Sequence, residues 1–231
     1  SIDFMTIIAA AGNYLYKSSD GGATWSTLAA AGQQNWWDVA GSSDLQSILA
    51  SVNDVNGGLY KSYDGGATWK LLSSAGTKAW RGVTCSADFV NMAAVGVGES
   101  VIWVSQNSGN TWESISLASV SPVSTQWRDV VINANLSSIA IMSSDSTVGS
   151  IYVSTDSGAT WAKSTTAGDR AWRYMAADND MMNIIASVGG SSSRRVGQIH
   201  SSNDAGITWH NITEFSEKDW AGVTYVNVNA N

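Results

Sequence analysis

The sequence predicts an all-β protein: a five-bladed β-propeller built from four-stranded antiparallel blades. Three observations lead to this prediction. A short polar motif occurs five times, a tryptophan-led apolar run occurs five times in step with it, and no stretch shows the 3.6-residue period of an amphipathic helix. Successive motif tryptophans are 43 to 49 residues apart. Repeats of that length, with four short alternating runs in each, are typical of propeller blades.

The polar motif reads Ser-x-Asp-x-Gly-x-Thr-Trp, with asparagine replacing the aspartate in one copy. Side-chain oxygens of Ser, Asp and Thr bind backbone groups in tight turns, and glycine adopts positive φ without strain. The motif therefore predicts a structural hairpin turn, and its single carboxylate argues against a Ca²⁺ loop. The predicted structural residues are Asp20, Trp25, Asp64, Trp69, Asn107, Trp112, Asp156, Trp161, Asp204 and Trp209.

Each tryptophan-led run alternates apolar and polar residues, which predicts the first, innermost strand of a blade. An arginine follows the leading tryptophan in three blades, and Trp37 takes that register in another. The candidate ligand-binding residues are Trp36, Trp37, Trp80, Arg81, Trp127, Arg128, Trp172, Arg173, Tyr174 and Trp220. Two interpretations stay open for this set. The rings either wedge between blades or form a ligand platform, and the arginines either hold an anion or stack on neighbouring tryptophans.

The two ends of the chain complement each other. Residues 1–10 match residues 86–95 position by position, and residues 220–225 read as one more first strand. We therefore expect one domain over residues 1–231, closed by pairing of the N- and C-terminal strands in a shared blade. That blade takes residues 1–28 and 220–231, and the others take about 36–73, 80–117, 127–165 and 172–213.

Composition narrows the possible partners. A net charge of −7 argues against nucleic acid and against a basic membrane-binding surface. No run approaches the roughly 20 apolar residues that cross a bilayer. Two glycosylation sequons, at Asn135 and Asn211, favour a secreted or organelle-lumen location over the cytoplasm. His200 and His210 lack metal-ligand spacing and are interpreted as packing or surface residues. The sequence does not determine the oligomeric state.

The five motifs resemble the Asp-box, or BNR, repeat of sialidases, sortilin-type receptors, xyloglucanases and a photosystem II assembly factor. The resemblance covers essentially the whole chain and implies a structural hairpin between the third and fourth strands of each blade. It does not extend to sialidase catalysis. Those rings have six blades, whereas this chain has five motifs and no glutamate in a predicted first strand. The chain thus resembles a five-repeat, non-sialidase member.

We expect a non-catalytic protein that binds a glycan or a protein surface on the face opposite the motifs, without a cofactor or a metal. Aromatic rings beside Asn, Asp, Gly and Ser suit a lectin-like site. One alternative is a scaffold or assembly factor that docks on a larger protein complex. A glycoside hydrolase is a further alternative. It would require Asp38 and Asp129 to act as a carboxyl pair rather than as solvated or arginine-paired residues.

Overall fold

A computed structural model describes residues 5–120, 126–143, 148–189 and 197–213. It confirms the predicted fold class, since the described residues form five antiparallel sheets of a five-bladed β-propeller. In chain order, the strands up to residue 96 are β1 (Ile7–Ala11), β2 (Tyr14–Ser18), β3 (Ser26–Thr27), β4 (Trp36–Gly41), β5 (Ile48–Val52), β6 (Leu59–Ser62), β7 (Lys70–Leu71), β8 (Trp80–Cys85) and β9 (Met92–Gly96). They are followed by β10 (Val101–Ser105), β11 (Glu113–Ser116), β12 (Trp127–Ile132), β13 (Ile139–Ser143), β14 (Ile151–Ser154), β15 (Ala162–Lys163), β16 (Trp172–Ala177), β17 (Ile184–Val188), β18 (Ile199–Ser202) and β19 (His210–Ile212).

Four sheets are complete four-stranded meanders, namely β4–β7, β8–β11, β12–β15 and β16–β19. The first sheet has the order β1-β2-β3 within the described residues. Its predicted fourth strand, residues 220–225, lies outside them, so closure by the two chain ends stays a prediction. Two 3₁₀ turns, Ala29–Ala31 and Ser73–Ala75, are the helical elements in the described ranges. Neither is long enough to cross a membrane.

The chain separates into two compact units. Among the described residues, the first unit contains 5–97 and 103–114, and the second contains 98–102, 115–120, 126–143, 148–189 and 197–213. In each unit neighbouring sheets pack face to face through a shared apolar cluster. In the first unit, Leu49 and Leu59 of sheet β4–β7 pack with Trp80 and Met92 of sheet β8–β11. In the second unit, Met142 and Ile151 of sheet β12–β15 pack with Trp172 of sheet β16–β19.

The tryptophan that opens each first strand is a core residue. Trp36 is 3% exposed, and its equivalents in β8, β12 and β16 are fully buried. Each ring meets an aromatic side chain of the third strand of its own sheet edge-on. The pairs are Trp36 with Tyr60, Trp80 with Trp103, Trp127 with Tyr152 and Trp172 with His200, at centroid distances of 5.2, 6.4, 6.1 and 5.3 Å. These contacts fill the space between sheets with rigid rings.

The repeated motif forms the turn between the third and fourth strands, as residues 62–69 illustrate. The Ser62 hydroxyl donates to Asp64 (2.8 Å) and accepts the Gly66 N–H (2.9 Å). The Asp64 carboxylate accepts both the backbone N–H and the hydroxyl of Thr68, at 2.8 and 2.6 Å. Gly66 has φ 93°, a conformation that favours glycine. Trp69 closes the turn by donating its indole N–H to the Gly66 carbonyl at 3.0 Å.

The asparagine copy of the motif keeps the turn with altered hydrogen bonds. Asn107 Oδ1 accepts the Thr111 N–H at 2.9 Å, but its amide now donates to the Thr111 hydroxyl at 2.8 Å. In the aspartate copies the threonine hydroxyl donates instead. The hydrogen bonds from Thr68 and Ser62 lower the pKa of Asp64 to about 2, so its carboxylate is ionised in the folded protein.

Exchanging the two side chains tests what the carboxylate contributes. Asn107→Asp is expected to raise the melting temperature at pH 7, because a carboxylate accepts both threonine donors. Asp64→Asn is expected to lower it. Both differences should shrink as the pH falls from about 4 to 2, where the native carboxylate takes up a proton. Thermal unfolding of both variants at pH 7 and pH 2.5 measures this, and equal melting temperatures at pH 7 would contradict it.

His200 is a titratable group that occupies an aromatic core position. It is 3% exposed, lies against Trp172, and its buried Nε2 has no hydrogen-bond partner within the described residues. Burial, and secondarily repulsion from Arg170, lower the pKa of His200 to about 4. The neutral imidazole is therefore the form that the fold accommodates.

Acidification should destabilise the fold through this residue. The unfolded chain binds a proton at His200 near pH 6.5, whereas the folded chain excludes it down to about pH 4. The free energy of unfolding should therefore decline between pH 6.5 and 4. His200→Tyr, which introduces the residue found at positions 60 and 152, should remove that decline. Urea denaturation of both proteins at pH 7.5 and 4.5 measures the free energy of unfolding. An equal decline in wild type and variant would contradict the role of His200.

Candidate binding site at the start of the first strands

The four described first strands that begin with tryptophan share one irregularity. In β4, β12 and β16 the pairing register with the next strand shifts by one residue directly after the tryptophan, and in β8 it shifts by one residue between Trp80 and Val83. Such β-bulges redirect side chains and are frequent next to functional sites. The residues within the shifts are Trp37 in β4, Arg81 and Gly82 in β8, Arg128 in β12 and Arg173 in β16. We call this end of the sheets the bulge end, and the opposite end, where the turns of the repeated motif lie, the motif end.

In the first unit the bulges of β4 and β8 bring Trp37 and Arg81 together. The Arg81 guanidinium carbon lies 5.4 Å from the Trp37 ring centroid, a cation–π contact. Its backbone carbonyl accepts a hydrogen bond from the buried Ser51 hydroxyl at 2.6 Å, which ties the bulge to the neighbouring sheet. Arg81 Nε is buried without a hydrogen-bond partner in the described ranges, and desolvation lowers the pKa of the guanidinium.

In the second unit the bulges of β12 and β16 bring Arg128, Arg173 and Tyr174 together. Arg128 donates its Nε–H to the Arg173 carbonyl at 2.8 Å, and its guanidinium carbon lies 5.5 Å from the Tyr174 ring centroid. The Arg173 side chain is half-buried and runs along Gly189. Among the residues that the structure describes, its guanidinium has no hydrogen-bond or ion-pair partner.

The aspartates one position further along link adjacent sheets. The Asp129 carboxylate accepts the N–H of its neighbour Val130 at 2.8 Å and that of Met175, in the first strand of the next sheet, at 2.6 Å. Asp38 binds Val39 and Val83 in the same way, at 2.8 and 2.9 Å. Both carboxylates thus satisfy backbone donors between first strands.

Removing this link should destabilise the second unit. Asp129 is 4% exposed, so Asp129→Ala leaves the buried Met175 N–H without an acceptor, and we expect a loss of about 2–3 kcal/mol. Asp129→Asn keeps one acceptor oxygen and should cost less. Chemical denaturation at pH 7 compares the two, and an alanine variant as stable as the asparagine variant would refute the link.

The structure places the predicted site residues in two groups. Trp36, Trp80, Trp127 and Trp172 are packed inside the sheets, which favours the wedge interpretation that the sequence left open. Trp37, Arg81, Arg128, Arg173 and Tyr174 are half-buried at the bulges. Trp220 lies outside the described residues. Ligand contact by any of them stays a prediction.

Charge is unevenly distributed along the sheets of the second unit. Its bulge end carries the cations Arg128, Lys163, Arg170 and Arg173. Asp169, an exposed carboxylate at that end, pairs with Lys163 at 2.7 Å. Its motif end carries Asp156, Asp178, Asp180 and Asp204. Within the described residues of this unit, cations therefore gather at the bulge end and carboxylates at the motif end.

Metal binding has no visible basis in the part of the chain that the structure describes. No group of three or more His, Cys, Asp or Glu side chains converges there. Cys85 is a free thiol whose pKa burial raises to about 12, with the Asp88 charge adding to the effect. Such a thiol is a poor nucleophile and metal ligand at neutral pH.

The chain matches the sequence model of one known protein family. The sequence model of the Sortilin-Vps10 family, described as "Sortilin, neurotensin receptor 3", matches residues 57–198, which is more than half of the chain. The chain therefore belongs to the Sortilin-Vps10 family. No curated protein sequence gives a significant match.

Solved structures that resemble the chain share its fold at low identity. A nidogen/laminin complex matches with a TM-score of 0.76 and 8% identity over 96% of this chain and 82% of the other. YCF48 bound to D1 peptide matches with a TM-score of 0.56 and 16% identity, covering 87% and 62%. The GH74 enzyme of Niastella koreensis matches with a TM-score of 0.62 and 19% identity, covering 89% and 36%. The chain spans about a third of the length of the GH74 enzymes that it matches.

Proposed function

We propose that this chain is a non-catalytic binding propeller that holds an acidic segment of a protein partner at the bulge end of its second unit. The observation that supports this proposal most is that the Arg173 guanidinium has no hydrogen-bond or ion-pair partner among the described residues. A guanidinium that stands at a bulge, with no acceptor among the described residues, suits a carboxylate of a ligand. Arg128, which donates to the Arg173 backbone carbonyl, and Tyr174, the next residue of the strand, supply a second cation and a ring in the same bulge.

The surrounding charge favours an acidic ligand over a neutral one. Arg128, Lys163, Arg170 and Arg173 stand at this end of the unit, and Lys163 is paired with the exposed Asp169 carboxylate. Such a patch attracts an acidic surface and speeds its association at low ionic strength.

A protein ligand also accords with the structures that share the fold, because YCF48 is bound to a D1 peptide and another similar structure is a nidogen/laminin complex. Docking as a scaffold or assembly factor on a larger complex is one form of this function.

The other two hypotheses have less support. The carbohydrate hypothesis relies largely on the rings of the first-strand tryptophans as a sugar platform. Those rings are instead packed against Tyr60, Trp103, Tyr152 and His200. Glycoside hydrolysis depended on Asp38 and Asp129, and each of those carboxylates is occupied by two backbone N–H groups. A general acid or base needs a proton-transfer partner in the substrate, which these hydrogen bonds oppose.

Peptide titration tests the proposal. A glutamate-rich decapeptide should bind at least tenfold more tightly than its glutamine counterpart, with an affinity that falls as salt rises from 50 to 300 mM. Arg173→Ala should weaken the binding about tenfold or more. Lys163→Ala is the matched control, because it removes the same charge at the same end, and it should stay within about twofold.

Two outcomes would contradict the proposal. One is equal affinity for the glutamate and glutamine peptides. The other is equal loss in Arg173→Ala and Lys163→Ala, which would indicate a general charge effect rather than a site. A glycan array run alongside covers the carbohydrate hypothesis, and a neutral oligosaccharide that binds Arg173→Ala as well as wild type would replace the protein ligand.

A further inference from the structure

We infer that Gly189 is a positioning residue for Arg173, an inference that rests on the proposed function and assigns a specific device to that site. Gly189 follows strand β17, and its N–H donates to the Ala171 carbonyl at 2.9 Å, directly before the first-strand tryptophan Trp172. The Arg173 side chain lies flat across this glycine. A Cβ atom at position 189 would lie 2.1 Å from Arg173 Nε, 2.7 Å from Cγ and 2.9 Å from Cδ.

The backbone of Gly189 gives no other reason for a glycine. Its φ lies outside the left-handed region that favours glycine, unlike the φ values of the motif glycines. Its three nearest contacts are all atoms of the Arg173 side chain. The missing side chain therefore makes room for that arginine.

Equivalent positions in the first unit carry side chains. Asn53 and Val97 make the same backbone hydrogen bond, to the carbonyls of Asn35 and Ala79, each of which also precedes a first strand. The corresponding bulge residues there, Trp37 and Arg81, stack on each other. The glycine thus accompanies the one bulge cation that is left without a protein partner among those described.

A fixed guanidinium has a chemical advantage. The lost freedom of a long, flexible side chain is a cost of binding that falls when the protein already holds the side chain in place. Laid along a backbone, the Arg173 fork has a defined plane, which is what bidentate contact with a carboxylate needs. Gly189 therefore contributes to affinity through Arg173 without touching the ligand.

The test uses the glutamate-rich decapeptide and four proteins: wild type, Gly189→Ala, Arg173→Ala and the double variant. Gly189→Ala should lower the affinity about five- to tenfold, and the double variant should bind no more weakly than Arg173→Ala. Asn53→Ala, the equivalent position in the first unit, should leave the affinity unchanged. In free Gly189→Ala the Arg173 Nε–H resonance should shift while the melting temperature changes little, because the clash is with a side chain that can move.

The outcomes separate the two claims. If Arg173→Ala leaves the affinity unchanged, the proposed function fails. If Arg173→Ala weakens binding and Gly189→Ala does not, the positioning role alone is wrong. A Gly189→Ala protein whose melting temperature drops should recover when Arg173→Ala removes the clashing side chain, and a failure to recover would also overturn the inference.

Discussion

Burial of one tryptophan at the start of each first strand is the constraint from which the rest of the structure follows. A four-stranded sheet has two faces to cover, and stacking sheets through a rigid ring covers both. Trp36, Trp80, Trp127 and Trp172 do this in the described blades, each set edge-on against a third-strand partner. Because these rings must point into the apolar core, the side chains of the neighbouring residues can adopt few orientations.

The bulges are the consequence that concerns function. A one-residue shift after each tryptophan lets the ring stay buried while the next side chain turns out of the strand, and the aspartates of β4 and β12 bind the donors of the neighbouring first strand. The core and the candidate site are therefore parts of one arrangement. The side chains proposed to bind a ligand, those of Arg128 and Arg173, belong to strands of a packed scaffold rather than to long loops.

The sequence reveals the fold better than the site. Five copies of a turn motif and of a tryptophan-led run define blades, strand starts and turns, because periodicity and turn chemistry are local properties. The bulges leave no signal in the residue pattern, since a shift in pairing depends on both strands. Gly189 and the Asp129 link escape sequence reading for a similar reason: their partners, Arg173 and Met175, lie far along the chain or in another strand. For His200 the sequence leaves a packing and a surface position open, and its burial against Trp172 places it in the core.

Arginine side-chain NMR can show whether the cations at the bulges contact an acidic ligand. Titrating a glutamate-rich peptide into protein labelled at the arginine Nε–H groups reports which guanidiniums meet the ligand. If the bulge end holds the ligand, the Arg173 resonance shifts most and that of Arg128 moves with it. Arg170, whose Nε–H is donated to the Ala167 carbonyl at 2.9 Å, should stay nearly unchanged. Uniform small shifts of all three, or a shift confined to Arg170, would contradict a ligand site at the bulges.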